Sequence, residues 1–96
     1  MKQLNCLIID DEPIARKAIA DYCKEVQFLK TVALCKNVLQ ANHYLDIQQI
    51  DIIFLDINMP LLSGIKWLKG LKNSPIVIMT TAYEEYALES FKYNVL

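Results

Sequence analysis

Three aspartates and two threonines lie where short apolar runs of this sequence end. Asp10 and Asp11 follow the run LNCLII, and Asp56 follows IIFL in the stretch FLDINMP. Thr80 and Thr81 follow the run IVIM. A carboxylate can ligate a divalent cation or attack phosphorus as a covalent nucleophile, and a hydroxyl can donate a hydrogen bond to a phosphoryl oxygen. These residue types therefore indicate phosphoryl chemistry assisted by a cation.

A cation is expected because carboxylates brought close together repel one another and raise their own pKa values unless a positive charge lies among them. Mg²⁺ suits such a place, since it prefers oxygen ligands and is commonly shared between one or two carboxylates and a phosphate. Side chains alternate along a strand, so only one of Thr80 and Thr81 can face the same site. The alternation alone does not decide which one.

The elements that must bring these residues together follow from the apolar pattern. Short β-branched runs predict strands at 4–9, 31–35, 52–55 and 76–79, each of the length of a strand buried on both faces. Segments with helical spacing lie at 13–26, 37–48, 63–71 and 84–93. Alternating strands and helices predict a parallel sheet with right-handed crossovers, in which ligands bind at the carboxyl ends of the strands.

Two predicted helices carry clear local signals. The first follows acidic residues and opens with Pro13, which suits the first turn of a helix. Its apolar stripe, expected to face the core, consists of Ile14, Ala18, Ile19, Tyr22 and Val26. The second has Asn37 as the expected N-cap and a shorter stripe of Val38, Ala41 and Leu45.

Composition excludes several functional classes. The 96 residues allow one domain, and ten Lys and Arg against eleven Asp and Glu argue against direct nucleic-acid binding. The three cysteines form no C-x-x-C pair, which favours buried thiols in a reducing cytosol. No apolar run approaches the roughly 20 residues of a membrane span, and no glycine-rich nucleotide loop occurs. We expect a cytoplasmic domain without membrane contact and assign His43, the only histidine, no role.

Three motifs, IIDDEP, FLDINMP and TTAY, resemble in this order the receiver domain of two-component response regulators over nearly the whole chain. The resemblance implies an α/β, flavodoxin/CheY-like doubly wound parallel sheet with strand order 2-1-3-4. The segments DDEPIARKAI and TTAYEEYALESFKYN look most like the subgroup with a LytTR-type (LytR/AlgR) DNA-binding output domain. Receivers also carry a fifth strand, its lysine and a fifth helix, so residues 1–96 are expected to form a C-terminally incomplete receiver domain.

The same resemblance implies a role for each candidate site residue. Asp56 would be the phosphoacceptor and also a metal ligand. Asp11 would bind Mg²⁺ directly, Asp10 would bind it through water, and Asn58 would bind it through its backbone carbonyl. Thr81 would be the switching threonine.

The implied function is signal transduction without enzymatic turnover beyond self-dephosphorylation. A sensor histidine kinase would phosphorylate Asp56, and the altered surface would control an output domain, expected to act in transcription, that this sequence does not contain. An open edge at the fourth strand also suggests a homodimer or a domain-exchanged oligomer.

Two other functions are considered beside this one. A haloacid-dehalogenase-like phosphohydrolase also uses a strand-end aspartate, Mg²⁺ and a later Thr or Ser, but it expects a second aspartate two residues on, where this chain has Asn58. A degenerate interaction module of the receiver fold, which is not phosphorylated, would agree with the absence of the expected lysine.

Overall fold

The computed structural model describes residues 2–56, 67, 70–71 and 75–80. Its elements are β1 (Leu4–Ile9), α1 (Pro13–Lys24), β2 (Leu29–Cys35), α2 (Val38–Ile47), β3 (Ile52–Leu55) and β4 (Ile76–Met79). The predicted bounds of β1, β3 and β4 are confirmed, whereas β2 begins two residues earlier and α1 ends two residues earlier than predicted. The predicted helix 84–93 and most of 63–71 lie outside the described residues.

The four strands form one parallel sheet in the order β2-β1-β3-β4, which confirms the predicted order. Ile9 on β1 pairs with Cys35 on one side and with Leu55 on the other. Leu55 in turn pairs with Met79 on β4. The strands therefore end level with one another, and the residues that follow them lie along one edge of the sheet.

Apolar clusters cover both faces of the sheet. Successive side chains of a strand point to opposite faces, and β1 is buried on both because α1 packs over one face and α2 over the other. One cluster packs against α2 and includes Leu7, Ile9, Val38, Ala41, Ile53, Leu55, Trp67 and Val77. The other packs against α1 and includes Cys6, Ile8, Ala20, Cys23 and Ile52.

Helix α1 is rotated relative to the prediction. Ile14 is 85% exposed, Tyr22 is 72% exposed and Ala18 is also exposed, so their prediction as core residues was wrong. Ile19 and Val26, from the same predicted stripe, are half-buried. The predicted stripe is an outer face of the helix over most of its length.

The sheet-facing side of α1 includes Arg16, Ala20 and Cys23, at spacings of four and three residues, and Ile19 packs against the same apolar cluster. Ala20 and Cys23 have small side chains, which allow the helix to approach the sheet closely. Arg16 lies at the end of this side nearest the carboxyl end of β1, where its guanidinium donates a 2.8 Å hydrogen bond to the backbone carbonyl of Asp10. Close packing of these small residues favours the observed rotation, and the rotation brings Arg16 to the Asp10 carbonyl.

Helix α2 agrees with its prediction. The Asn37 side chain accepts a 2.9 Å hydrogen bond from the backbone N–H of Gln40, so Asn37 is the N-cap. Val38 and Ala41 are buried, and Leu45 packs against the same cluster. Among the described strands, β2 and β4 each have one neighbour and are only partly buried, so the prediction of burial on both faces was wrong for these two strands.

The cysteines are free and buried, as predicted. Burial raises the pKa of the Cys23 thiol and of the Cys35 thiol from 9.0 to about 11. None of the helices in the described part of the chain has the length and apolar character to cross a membrane.

Candidate functional site

Backbone hydrogen bonds continue one residue past the strands and place two aspartates side by side. The N–H of Asp10 donates to the carbonyl of Cys35 at 3.0 Å, and the N–H of Asp56 donates to the carbonyl of Ile9 at 2.9 Å. Because Asp10 directly follows Ile9 in the chain, the bond from Asp56 to Ile9 places Asp56 beside Asp10. The parallel register therefore brings the two carboxylates to the same point on the sheet edge.

The structure brings Asp10, Asp11 and Asp56 together. One carboxylate oxygen from each residue lies within 4.8 Å of the others. Asp10 and Asp56 are buried, at 5% and 8% exposure, whereas Asp11 is exposed. The cluster thus has two buried carboxylates at its base and a third at its solvent side.

The loop between β1 and α1 is held by hydrogen bonds around Asp10. The backbone N–H of Glu12 donates a 2.9 Å hydrogen bond to Asp10 Oδ1. Arg16 Nη1 donates a 2.8 Å hydrogen bond to the Asp10 carbonyl oxygen. Sequence reasoning missed Arg16, although a basic residue one turn into the predicted helix was an available signal.

Burial is the main cause that raises the pKa of Asp10, because desolvation disfavours the charged carboxylate. The hydrogen bond from the Glu12 backbone opposes this shift, and the negative charges of Asp56, Asp11 and Glu12 add to it. A cation among these carboxylates would remove the repulsion.

The residues present fit Mg²⁺. All three groups are carboxylates, the hard oxygen donors that this cation prefers. Two oxygens bound to one Mg²⁺ lie at most about 4.2 Å apart, since each Mg–O distance is about 2.1 Å. Side-chain rotation, or a bridging water, is enough to bring oxygens within 4.8 Å of one another into that range.

The remaining predicted site residues differ in what the structure describes. Asn58 and Thr81 lie outside the described residues, and their roles remain predictions. The backbone N–H of Thr80 donates to the carbonyl of Leu55 at 3.0 Å, so Thr80 continues the same ladder beyond β4. His43 is exposed on α2.

Comparisons with known proteins identify relatives of this chain. The family model for the response regulator receiver domain matches residues 6–95. An uncharacterized response regulatory protein of Vibrio cholerae is 36% identical over 93 residues, covering 95% of this chain and 39% of that protein. The transcriptional regulatory protein LytR of Staphylococcus aureus is 35% identical over 94 residues, covering 95% of this chain and 38% of LytR. The chain thus spans about two-fifths of the length of these relatives.

Solved structures with the same fold include receiver proteins. The response regulator domain of Thermotoga maritima CheB has a TM-score of 0.85 at 27% identity, covering 99% of this chain and 75% of that one. T. maritima TrrA in complex with Mg²⁺ and BeF has a TM-score of 0.80 at 27% identity, with coverages of 99% and 84%. A structure of the P1 domain of CheA3 in complex with CheY6 from R. sphaeroides has a TM-score of 0.75 at 26% identity, with coverages of 100% and 82%. The chain belongs to the response regulator receiver domain family, as predicted, and the LytR relative is compatible with the predicted subgroup.

Proposed function

We propose that Asp56 is the phosphoacceptor of this receiver domain and that Asp10 and Asp11 hold Mg²⁺ beside it. The observation that supports this most directly is the carboxylate cluster, in which one oxygen of each of the three residues lies within 4.8 Å of the others. Membership of the receiver family supports it independently, as does the similarity to a receiver that was solved with Mg²⁺ and BeF.

The proposed reaction is a phosphoryl transfer from histidine to aspartate. One carboxylate oxygen of Asp56 forms a bond to phosphorus while the P–N bond of the phosphohistidine donor breaks. The electron pair of that bond remains on the imidazole nitrogen of the donor. The product is an acyl phosphate on Asp56. The histidine leaves as neutral imidazole when its other ring nitrogen carries a proton, and otherwise takes one proton from solvent to become neutral.

Each described residue has a distinct task in this proposal. Bound Mg²⁺ supplies positive charge that offsets the repulsion between the carboxylates and the phosphoryl oxygens. The Glu12 backbone N–H holds the Asp10 carboxylate in place, and the exposed Asp11 carboxylate would be a further ligand of the cation. Burial at the end of β3 fixes the position of Asp56, which favours in-line attack on phosphorus.

Two further tasks are proposed for residues outside the described ranges. The backbone carbonyl of Asn58 would be another metal ligand. The hydroxyl of Thr81 would donate a hydrogen bond to a phosphoryl oxygen, and its movement would shift the domain between two conformations. Activity is then limited to accepting the phosphoryl group and losing it again by hydrolysis.

The proposed donor is a histidine kinase or a histidine phosphotransfer domain, which is supported by the similarity to the complex that contains CheY6 and the P1 domain of CheA3. Control of transcription is the proposed output, supported by the LytR relative.

The cytoplasm is the proposed compartment. Three buried, free cysteines are compatible with its reducing conditions.

Self-association is a separate proposal. In the described part of the sheet, β4 lies at one end, and Ile76 on this strand is 43% exposed. A strand at the end of a sheet can pair with a second copy of the chain, either in a homodimer or by exchange of an element. Sedimentation at micromolar concentration should give a mass above that of the monomer, and a monomer mass would contradict the proposal.

Phosphorylation is tested by incubating the protein with acetyl phosphate and MgCl₂ and measuring its intact mass. We expect one added phosphoryl group in the wild type and none in Asp56→Asn. Asp46→Asn is a matched control, because this exposed carboxylate on α2 is not part of the cluster. Repeated turnover of small phosphate esters would instead support the phosphohydrolase, and the absence of an adduct would support an interaction module.

A further inference from the structure

Three hydrogen bonds hold Asp10 in the loop that follows β1. Its backbone N–H donates to the carbonyl of Cys35, and its Oδ1 accepts from the backbone N–H of Glu12. Its backbone carbonyl accepts from Arg16 Nη1 at 2.8 Å. The first two bonds use backbone partners, so substitution of Cys35 or Glu12 would leave those partners in place. The third depends on the side chain of Arg16.

The carbonyl bound by Arg16 belongs to the peptide that connects Asp10 to Asp11. A peptide unit is planar, so a hydrogen bond that holds the carbonyl oxygen also fixes the orientation of the Asp11 nitrogen on the same plane. The direction in which the Asp11 side chain leaves the backbone depends on that plane. Arg16 therefore acts on Asp11 through the backbone, at a distance from the carboxylate itself.

Arg16 is well placed to hold this peptide rigidly. Its own N–H donates to the Glu12 carbonyl at 3.0 Å, which secures it in the first turn of α1. Its side chain is half-buried between the helix and the sheet end. A hydrogen bond from a guanidinium is charge-assisted and stronger than one between neutral groups. A rigid loop loses less conformational freedom when a cation binds than a mobile loop does.

We propose that Arg16 is a positioning residue for the cation site. Arg16 holds the peptide between Asp10 and Asp11, so that the exposed Asp11 carboxylate lies beside Asp10 and Asp56 before Mg²⁺ binds. The inference rests on the proposed metal site and adds to it a residue that contacts neither metal nor phosphate. Groups that orient metal ligands from outside the coordination sphere typically change metal affinity by about 10–100-fold when they are removed.

The first test measures Mg²⁺ affinity by isothermal titration with MgCl₂. Arg16→Met keeps the apolar part of the side chain and removes the hydrogen-bond donors. We expect the Mg²⁺ affinity to fall about tenfold, at the lower end of the 10–100-fold range, because Arg16 acts on Asp11 through the backbone. Arg16→Lys retains one charged donor and should recover part of the loss. Lys17→Met is the matched control, since Lys17 is an exposed neighbour on α1 whose loss changes the net charge equally. We expect this control to bind like the wild type.

The second test measures amide hydrogen exchange in Mg²⁺-free protein. The Glu12 N–H, which donates to Asp10 Oδ1, should exchange faster in Arg16→Met than in the wild type or in Lys17→Met. Phosphorylation of Arg16→Met by acetyl phosphate should also recover as MgCl₂ is raised to saturation, because the defect lies in affinity. Because bound Mg²⁺ also stabilises the folded state, circular dichroism in EDTA must show Arg16→Met as fully folded as the wild type for this recovery to report affinity.

The outcomes separate this inference from the proposed function. If the wild type binds Mg²⁺ and Arg16→Met binds it equally well, the positioning role is overturned and the metal site stands. If Arg16→Met and Lys17→Met change the affinity to the same extent, the effect does not depend on the contact with the Asp10 carbonyl, and the positioning role is again overturned. If the wild type binds no Mg²⁺, the proposed metal site fails and this inference fails with it.

Discussion

The backbone N–H of Asp56 lies 2.9 Å from the carbonyl oxygen of Ile9 and donates a hydrogen bond to it. This bond continues the pairing of β3 with β1 one residue beyond both strands. Asp10 is the next residue after Ile9, so Asp56 and Asp10 lie beside each other at the sheet edge. Their carboxylates repel each other, and the backbone register therefore holds together a cluster that its own charges would separate.

Removal of the negative charge of Asp11 should make the Mg²⁺-free protein more stable. For Asp11→Asn we expect the free energy of unfolding to rise by about 0.5 kcal/mol, because an exposed charge interacts only weakly. In the wild type, MgCl₂ at one hundred times its dissociation constant should raise the free energy of unfolding by about 2.7 kcal/mol. In Asp11→Asn the increase should be clearly smaller. Urea unfolding with EDTA or MgCl₂ measures both quantities.

The control for this prediction is Asp46→Asn, which leaves the three clustered aspartates in place. In this control, MgCl₂ should raise the free energy of unfolding by the same amount as in the wild type. An equal gain in Asp11→Asn would contradict a role for Asp11 in binding the metal.

Stability should fall at alkaline pH because the three buried thiols ionise less readily in the folded protein. Burial raises the pKa of Cys23 and of Cys35 from 9.0 to about 11. Below pH 9 these thiols are neutral in both states and their contribution does not change with pH. Between about pH 9 and 11 they ionise mainly in the unfolded chain, so the free energy of unfolding falls as pH rises, by at most about 1.4 kcal/mol per pH unit for each thiol.

Urea unfolding at a series of pH values, with a reducing agent present, measures this slope. The variant with both Cys23→Ala and Cys35→Ala should have a lower stability at neutral pH and a flatter decline between about pH 9 and 11. A slope unchanged by the two substitutions would assign the alkaline loss to other groups.

The rotation of α1 can be tested by substituting Ile14 on the outer face of the helix and Ile8 on the sheet face that the helix covers. Ile14 is 85% exposed, so Ile14→Ala should change the free energy of unfolding by no more than about 0.5 kcal/mol. Ile8 is fully buried on the face that α1 covers, and Ile8→Ala should cost about 2–5 kcal/mol. Thermal or urea unfolding gives both values, and a comparable loss in Ile14→Ala would place Ile14 in the core.

Much of the fold could be predicted from local patterns. Short apolar runs predicted the strands because apolar clusters with α1 and α2 cover both faces of a central strand, as they do for β1 and β3. The same argument failed for β2, which has one neighbour among the described strands and exposes Leu34. The pattern of a run does not show where in the sheet its strand will lie.

The face of α1 was the main wrong prediction, and its cause is geometric. Helical spacing groups Ile14, Ala18 and Tyr22 correctly on one side, but the helix has other sides, and hydrophobicity alone selected the wrong one. The structure places Ala20 and Cys23 against the sheet because small residues allow a close approach.

By itself, the sequence indicated the candidate site residues and predicted at which end of the strands Asp10, Asp11 and Asp56 lie, because both follow from short stretches of neighbouring residues. The meeting of Asp56 with Asp10 and Asp11 depends on the register between β1 and β3, which are separated by more than forty residues. The contact of Arg16 with the Asp10 carbonyl depends on the rotation of α1. Only the tertiary structure decided these two relationships, because packing of the whole sheet and helix sets register and rotation.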